Sequence, residues 1–162
     1  MTAAKIPLTR AQRLRATANI LNGSTALGLL LASAARLDVV AGPRGLLLAA
    51  GYRWPLPLAG AFTVGNVIIF RTRAAGPPPD PRQADAALLG HEESHASQYA
   101  AFLGVPFLPL YLAAAAWSWL RTGNPGSANM FERHAGLEAG GYPPAGTRRT
   151  QPLRKPWKKT TP

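Results

Sequence analysis

The chain contains no cysteine among its 162 residues. Disulfide bonds and cysteine-ligated zinc sites are therefore excluded, while the redox compartment stays open. Acidic residues are also scarce, since seven Asp and Glu oppose eighteen Lys and Arg, which gives a net charge of +11. This charge favours anionic partners, either a membrane surface or nucleic acid bound without sequence preference. The sequence has no helix-turn-helix, zinc-finger or RNA-recognition motif that would indicate sequence-specific binding.

One short motif contains two of the seven acidic residues. Residues 91–95 read HEESH, which matches the pattern H-E-x-x-H. The segment 84–102 contains no proline and has a helix-favouring composition, so we predict a helix there. His91 and His95 then lie on one helix face and can reach one metal ion, while Glu92 can accept a proton from water. Glu93 is expected to be solvated. A surface helix with two solvated histidines is the alternative interpretation.

A catalytic zinc site requires a third protein ligand and leaves a fourth position open. The metzincin pattern would need glycine at position 98 and histidine at position 101, and Gln98 and Ala101 exclude it. The gluzincin arrangement takes a glutamate from a second, downstream helix, and Glu132 fits. Glu132 is also compatible with an ordinary glutamate in a first helical turn, with Asn129 as the N-cap. His134 is a rival ligand, but two residues from Glu132 it points to another helix face.

Two segments of the chain resemble known metallopeptidase sequences. Residues 129–135 (NMFERHA) give N-x-x-E-x-x-A after H-E-x-x-H, which is similar to the second half of many gluzincin sites. The run 61–70 (AFTVGNVIIF), followed by L-L-G-H-E-x-x-H-x-x-Q, resembles the metallopeptidase-like core domain associated with bacterial contractile injection systems. The resemblance covers residues 61–142 and departs at Ala96, where that family usually has a larger hydrophobic residue. The resemblance implies zinc as the cofactor. By matching position, it also implies that the site residues of this chain are His91, Glu92, His95 and Glu132.

The expected function is a zinc-dependent peptide-bond hydrolase of gluzincin type with a peptide or protein substrate. The metal ligands would be His91, His95 and Glu132, with Glu92 as the general base. Tyr142, His134 and Tyr99 are candidates for stabilising the oxyanion, and the sequence does not choose among them. Two alternatives remain open, namely a non-enzymatic membrane-associated module and a degenerate peptidase scaffold that binds metal without turnover.

The predicted fold class is α+β and predominantly α. It consists of a strand over 63–71, the motif helix, an apolar return helix and a glutamate-bearing helix. Gly65 is expected to mark a bulge or a close approach of backbone. Residues 74–82 contain four prolines and are expected to form a loop. The predicted organisation is a basic and apolar N-terminal helical segment (1–50), a metallopeptidase-like domain (51–142) and a disordered basic, proline-rich tail (143–162).

A long uncharged segment raises the question of membrane insertion. Tyr99–Leu120 has no charged residue and is a transmembrane candidate by length. A single span would put His95 and Glu132 on opposite membrane faces, which metal bonds of about 2 Å cannot tolerate. Pro106 and Pro109 are therefore expected to break the segment into a hairpin, with residues 99–104 ending the motif helix and residues 110–120 running back.

The two ends of the chain carry much of the positive charge. Residues 24–35 form a short apolar run after an arginine-bearing segment, which indicates either a signal peptide or a buried or amphipathic helix. Residues 143–162 contain six Lys or Arg, five prolines and no acid. This tail is expected to bind anionic lipid or nucleic acid through phosphates, or to act only as a solubilising tail. The predicted location is cytoplasmic or peripheral to a membrane, and the oligomeric state is not predicted.

Overall fold

A four-stranded sheet supports the helix that carries the H-E-x-x-H motif. The computed structural model describes residues 7–57, 59–72 and 77–144. They form an α+β fold that is mostly helical, so the predicted fold class is confirmed. The elements are α1 (Arg10–Leu21), α2 (Ser24–Ala34), β1 (Val39–Ala41), β2 (Leu47–Tyr52), β3 (Ala61–Val64), β4 (Val67–Arg71), α3 (Ala86–Ala101), α4 (Phe107–Thr122) and α5 (Met130–Ala135).

The sheet lies between α2 and α3 and has the strand order β1-β2-β4-β3. β2 and β4 pair in parallel, whereas β1–β2 and β3–β4 pair antiparallel. On one face, Ile68 and Phe70 pack in the cluster that includes Ala96 of α3. On the other face, Val67 packs in the cluster that includes Ala32 of α2. Because both faces are covered, the central strands are apolar at nearly every position.

The segment predicted as one strand over 63–71 is a hairpin, so that prediction is wrong. β3 and β4 are joined at Gly65 and Asn66, a two-residue turn in which Gly65 has a φ of +62°. A left-handed φ at the first central position favours glycine in such turns. The predicted close approach at Gly65 is confirmed, because a Cβ there would lie 2.4 Å from the backbone nitrogen of Thr25.

The N-terminal segment is not only helical. Residues 1–50 were predicted as a helical segment, but β1 and part of β2 lie within it and pair with the rest of the sheet. The reason is that β2 pairs in parallel with β4, and its apolar residues are buried in the same clusters on both faces of the sheet. The apolar run 24–35 forms α2, which covers the sheet. Asn19 of α1 also donates a hydrogen bond to the carbonyl oxygen of Ala96 at 2.8 Å, so packing runs across residue 50.

The apolar hairpin after the motif helix has the predicted break. α3 begins after Asp85, whose side chain accepts a hydrogen bond from the backbone of Ala87. α4 starts at Phe107 rather than at Leu110, because Pro109 is tolerated in a first helical turn, where its missing N–H would have no intrahelical partner. Within the described residues, no helix is both long and apolar enough to cross a membrane. The tail beyond residue 144 lies outside the described residues, as do residues 74–76 of the predicted loop.

Candidate metal centre

Three buried side chains from α3 and α5 converge on one point. Helical spacing brings the Nε2 atoms of His91 and His95 to 3.1 Å from each other. The Oε2 atom of Glu132 lies 3.2 Å from Nε2 of His91 and 3.5 Å from Nε2 of His95. Among the described residues, His91, His95 and Glu132 form the group of side chains that could hold a metal ion, because their ligating atoms lie within 4.8 Å of one another. We call this group the cluster.

Backbone and amide groups fix which ring nitrogens face the cluster. Nδ1 of His91 lies 3.0 Å from the carbonyl oxygen of Gly136, which can only accept, so this nitrogen carries the proton. Gln98 donates from its amide nitrogen to the carbonyl oxygen of Phe131 at 3.0 Å. The amide oxygen of Gln98 therefore faces Nδ1 of His95 at 2.8 Å, so that nitrogen also carries a proton. Both Nε2 atoms consequently direct lone pairs at the cluster.

The cluster thus combines two lone pairs with a carboxylate oxygen. Oε2 of Glu132 is buried and has no hydrogen-bond donor among the described residues. A tetrahedral ion with bonds of about 2.0–2.1 Å separates its ligand atoms by about 3.3–3.4 Å. The observed separations of 3.1, 3.2 and 3.5 Å match that geometry. The group can therefore hold a small divalent cation, and two imidazoles with one carboxylate suit zinc among others.

The charges of the cluster shift the pKa values of its members in the metal-free chain. Burial by itself raises the pKa of Glu132, but the interaction with His91 and His95, whose Nε2 atoms can donate to Oε2 once they are protonated, outweighs it and lowers the pKa to about 2. Burial by itself lowers the pKa of His95, whereas the hydrogen bond with Glu132 and the charge of Glu92 raise it above 6.5 in sum. Glu132 is therefore an anion at neutral pH, and a proton on His95 competes with any metal for the cluster.

Two tyrosines lie beside Glu132. The hydroxyl of Tyr111 on α4 donates a hydrogen bond to Oε1 of Glu132. Tyr142 lies close enough to interact with Tyr111, Glu132 and Glu92, and its ring contacts Gly126. Burial raises the pKa of both tyrosines, so both hydroxyls stay protonated and can donate. Sequence reasoning named Tyr142 but missed Tyr111, whose signal was a hydroxyl-bearing side chain within the apolar first half of α4.

Glu92 is held next to the cluster by the edge strand of the sheet. Its side chain is 3 % exposed. The Thr63 hydroxyl on β3 donates to Oε2 of Glu92 at 2.7 Å. This bond fixes one carboxylate oxygen of Glu92, and its charge acts on His95. Thr63 was expected only as a strand residue, so its role as a partner of Glu92 was missed.

Glu93, expected to be solvated, anchors the motif helix instead. Its carboxylate pairs with Arg15 of α1 at 2.5 Å and with Arg44 at 2.7 Å. The Arg15 side chain is buried and also donates to the carbonyl oxygen of Arg44. This network joins α1 to the side of α3 opposite the cluster, because Glu93 is two residues, or about 200° around the helix, from both His91 and His95.

Two predicted oxyanion candidates do not reach the cluster. His134 is exposed and lines a surface groove with Phe102 and Met130. The short helix α5 directs it away from Glu132 because the two residues are two positions apart. Tyr99 is 1 % exposed, and its ring packs against Phe107 with the ring centres 4.8 Å apart. Of the three candidates, only Tyr142 lies beside the cluster.

A glycine-rich segment after α5, residues 136–142, covers His91. A Cβ built on Gly140 would lie 2.4 Å from Cε1 and 2.7 Å from Nε2 of the His91 ring. Only glycine lets the backbone approach this closely. Hydrogen bonds from Gly140 to Gly136 and from Tyr142 to Leu137 hold the segment in this position. The segment therefore both orients His91 and limits access to the cluster.

No protein-family model, curated protein or solved structure matches this chain. The resemblance to gluzincins therefore stays a prediction carried by the motif residues. The approach of Glu132 to the two histidines is a separate observation, because it depends on where α3 and α5 lie and not on the spacing within the motif.

Proposed function

We propose that this chain is a zinc-dependent peptide-bond hydrolase of gluzincin type that acts on a peptide or protein substrate. The supporting observation is the buried triangle formed by His91, His95 and Glu132, with Glu92 beside it. A zinc ion held there would polarise a substrate carbonyl and lower the pKa of water. Three protein ligands would leave a fourth position open, which is the arrangement of catalytic rather than structural zinc sites.

In this proposal, the chain's own side chains divide the remaining work. Thr63 holds one oxygen of Glu92, and the other oxygen accepts a proton from the attacking water and returns it to the leaving amine. Tyr111 orients Glu132. Tyr142, which stays protonated, donates a hydrogen bond to the carbonyl oxygen as negative charge develops on it.

A second candidate is a metal-binding scaffold without turnover. The observation in its favour is the burial of the site, because His91 and Glu92 are each 3 % exposed and residues 136–142 cover His91. A peptide substrate would require that segment to move.

For either candidate we propose a chain located in the cytoplasm or peripherally at a membrane, with a basic tail able to bind nucleic acid non-specifically.

The proposal is tested by Glu92→Gln with Glu93→Gln as the matched control. We expect Glu92→Gln to keep its metal and to lower hydrolysis of an unfolded protein by about 10²–10⁴-fold, because an amide cannot accept the proton. Glu93→Gln weakens the ion pairs with Arg15 and Arg44 but leaves the cluster unchanged, so it should lower stability and keep most of the activity per folded chain. Hydrolysis by Glu92→Gln at the wild-type rate would contradict the mechanism. A metal-loaded wild type that cleaves nothing in broad peptide libraries would favour the scaffold.

A further inference from the structure

Helix α4 exposes apolar side chains around most of its circumference. Leu112, Trp117, Trp119 and Leu120 are 62 %, 58 %, 60 % and 74 % exposed. Its buried stripe is narrow and includes Phe107. The apolar surface continues onto α5 through a groove whose lining includes Leu110, Trp117 and Met130. A contiguous surface of this kind on a folded domain marks an interaction site.

The charge of this region identifies the chemistry of the partner. Residues 94–131 contain no Asp or Glu, and Arg121 is their one Lys or Arg. Arg121 lies at the C-terminal end of α4, with its guanidinium 5.4 Å from the centre of the Trp117 ring. The exposed helix therefore offers apolar and cationic groups and no anion. That combination complements a lipid surface with anionic headgroups.

The two tryptophans define how the helix would lie on such a surface. Positions 117 and 119 are about 160° apart around a helix, so the rings flank the outward side that contains Ala116 and Leu120. Tryptophan prefers the boundary between headgroups and acyl chains. At 16 residues, α4 is about 24 Å long, too short to cross a bilayer but long enough to lie in its plane. If the partner were instead a protein with a groove that binds a helix, that groove would bury one stripe of α4 and leave one of the two tryptophans exposed to solvent.

We propose that α4 docks in the plane of an anionic lipid surface, with Trp117 and Trp119 as its flanking anchors and Arg121 at the headgroups. The opposite side of the same helix carries Tyr111, which holds Glu132. Docking would therefore bring the candidate metal centre within about one helix diameter, roughly 10 Å, of the lipid. The inference rests on the exposed helix alone and holds whether or not the chain hydrolyses peptides.

The test is flotation of the full chain with vesicles of phosphatidylcholine mixed with phosphatidylglycerol. The variant is Leu112→Glu combined with Leu120→Glu, and the control is Leu14→Glu, which alters a leucine on α1 that is 72 % exposed. We expect wild type and control to float, and the double variant to bind at least about tenfold more weakly, since burial of each leucine is lost. High salt should weaken binding of wild type only partly, because the apolar contribution is not screened.

A second measurement reports on Trp117 and Trp119 alone. In a chain with Trp54→Phe and Trp157→Phe, these two are the remaining tryptophans, and their fluorescence should shift to shorter wavelength with these vesicles and become protected from aqueous quenchers. The far-ultraviolet circular dichroism of the double variant, compared with wild type, reports whether its fold is intact. Absence of both wild-type flotation and this fluorescence shift would overturn the proposal. A double variant that floats like wild type would also overturn it. The same holds for a double variant that differs from wild type only by sedimenting as a monomer where wild type sediments as a dimer.

Discussion

Replacing Tyr111 by Phe removes one hydroxyl group next to the candidate metal centre and leaves the ring in place. That hydroxyl donates to Oε1 of Glu132, while Oε2 faces the two histidines. Without it, Oε1 is buried and lacks its donor, and the carboxylate loses the bond that fixes its rotation. We therefore expect Tyr111→Phe to weaken metal binding without removing any metal ligand.

The size of the effect follows from the type of bond. A hydrogen bond to a charged group contributes about 1.5–3 kcal/mol. Loss of a partner that orients a metal ligand lowers metal affinity by about 10–100-fold, which corresponds to about 1.4–2.8 kcal/mol. The two ranges overlap, as expected if the single bond from Tyr111 accounts for the orientation of Glu132.

The assay is zinc affinity measured by competition with a chromophoric chelator at fixed pH. Tyr52→Phe is the matched control, because the Tyr52 hydroxyl donates to a backbone carbonyl, that of Leu56, at 2.5 Å. This control makes the same chemical change on β2, where it should cost about 1 kcal/mol of stability and leave zinc affinity unchanged. If Tyr111→Phe binds zinc as tightly as wild type, the orienting role of Tyr111 is refuted.

Two further predictions concern the free energy of unfolding at acid pH and the glycine-rich segment 136–142, which covers His91. In chelator-treated protein, Glu132 should make its full contribution to the free energy of unfolding above its ordinary pKa of 4.5. This contribution should be lost as the pH falls toward about 2, the lowered pKa of Glu132 in the folded state. Acid unfolding followed by circular dichroism should therefore be less steep in Glu132→Gln. Gly140→Ala places a methyl 2.4 Å from the His91 ring, and overpacking should destabilise the chain by about 1–3 kcal/mol and weaken zinc binding. At Gly90, an added Cβ would have no described atom within 4 Å, so Gly90→Ala should instead stabilise α3 by up to about 1 kcal/mol. Urea denaturation measures both variants, and equal effects of Gly140→Ala and Gly90→Ala would contradict the contact between Gly140 and His91.

Local patterns were sufficient to predict the motif helix and the convergence of its histidines. The spacing of His91 and His95 fixes them on one helix face, whatever the rest of the fold. The break in the apolar segment was predicted as well, although α3 already ends at Ala101 and the chain turns through Leu103 and Gly104, both with positive φ, before Pro106 precedes α4. Asn129 was predicted as a cap and does accept a hydrogen bond from Phe131. That cap and the approach of Glu132 to the histidines are compatible, because the cap begins the helix that carries the glutamate.

The residues that were missed make contacts across long stretches of sequence. Thr63 reaches Glu92 from the edge of a sheet, and Tyr111 reaches Glu132 from another helix. Neither contact leaves a periodic signal in the sequence. The β3–β4 hairpin was missed for a different reason, since its strands are both buried and read as one apolar run. The Gly-Asn pair between them was the available turn signal.

The central claim is that His91, His95 and Glu132 hold one metal ion. The most direct measurement is elemental analysis of the purified full chain and its alanine variants. We expect about one zinc per wild-type chain, loss of it in His91→Ala, His95→Ala and Glu132→Ala, and retention in His134→Ala. A wild-type chain that holds no metal after zinc loading, or metal kept in Glu132→Ala and lost in His134→Ala, would contradict the account.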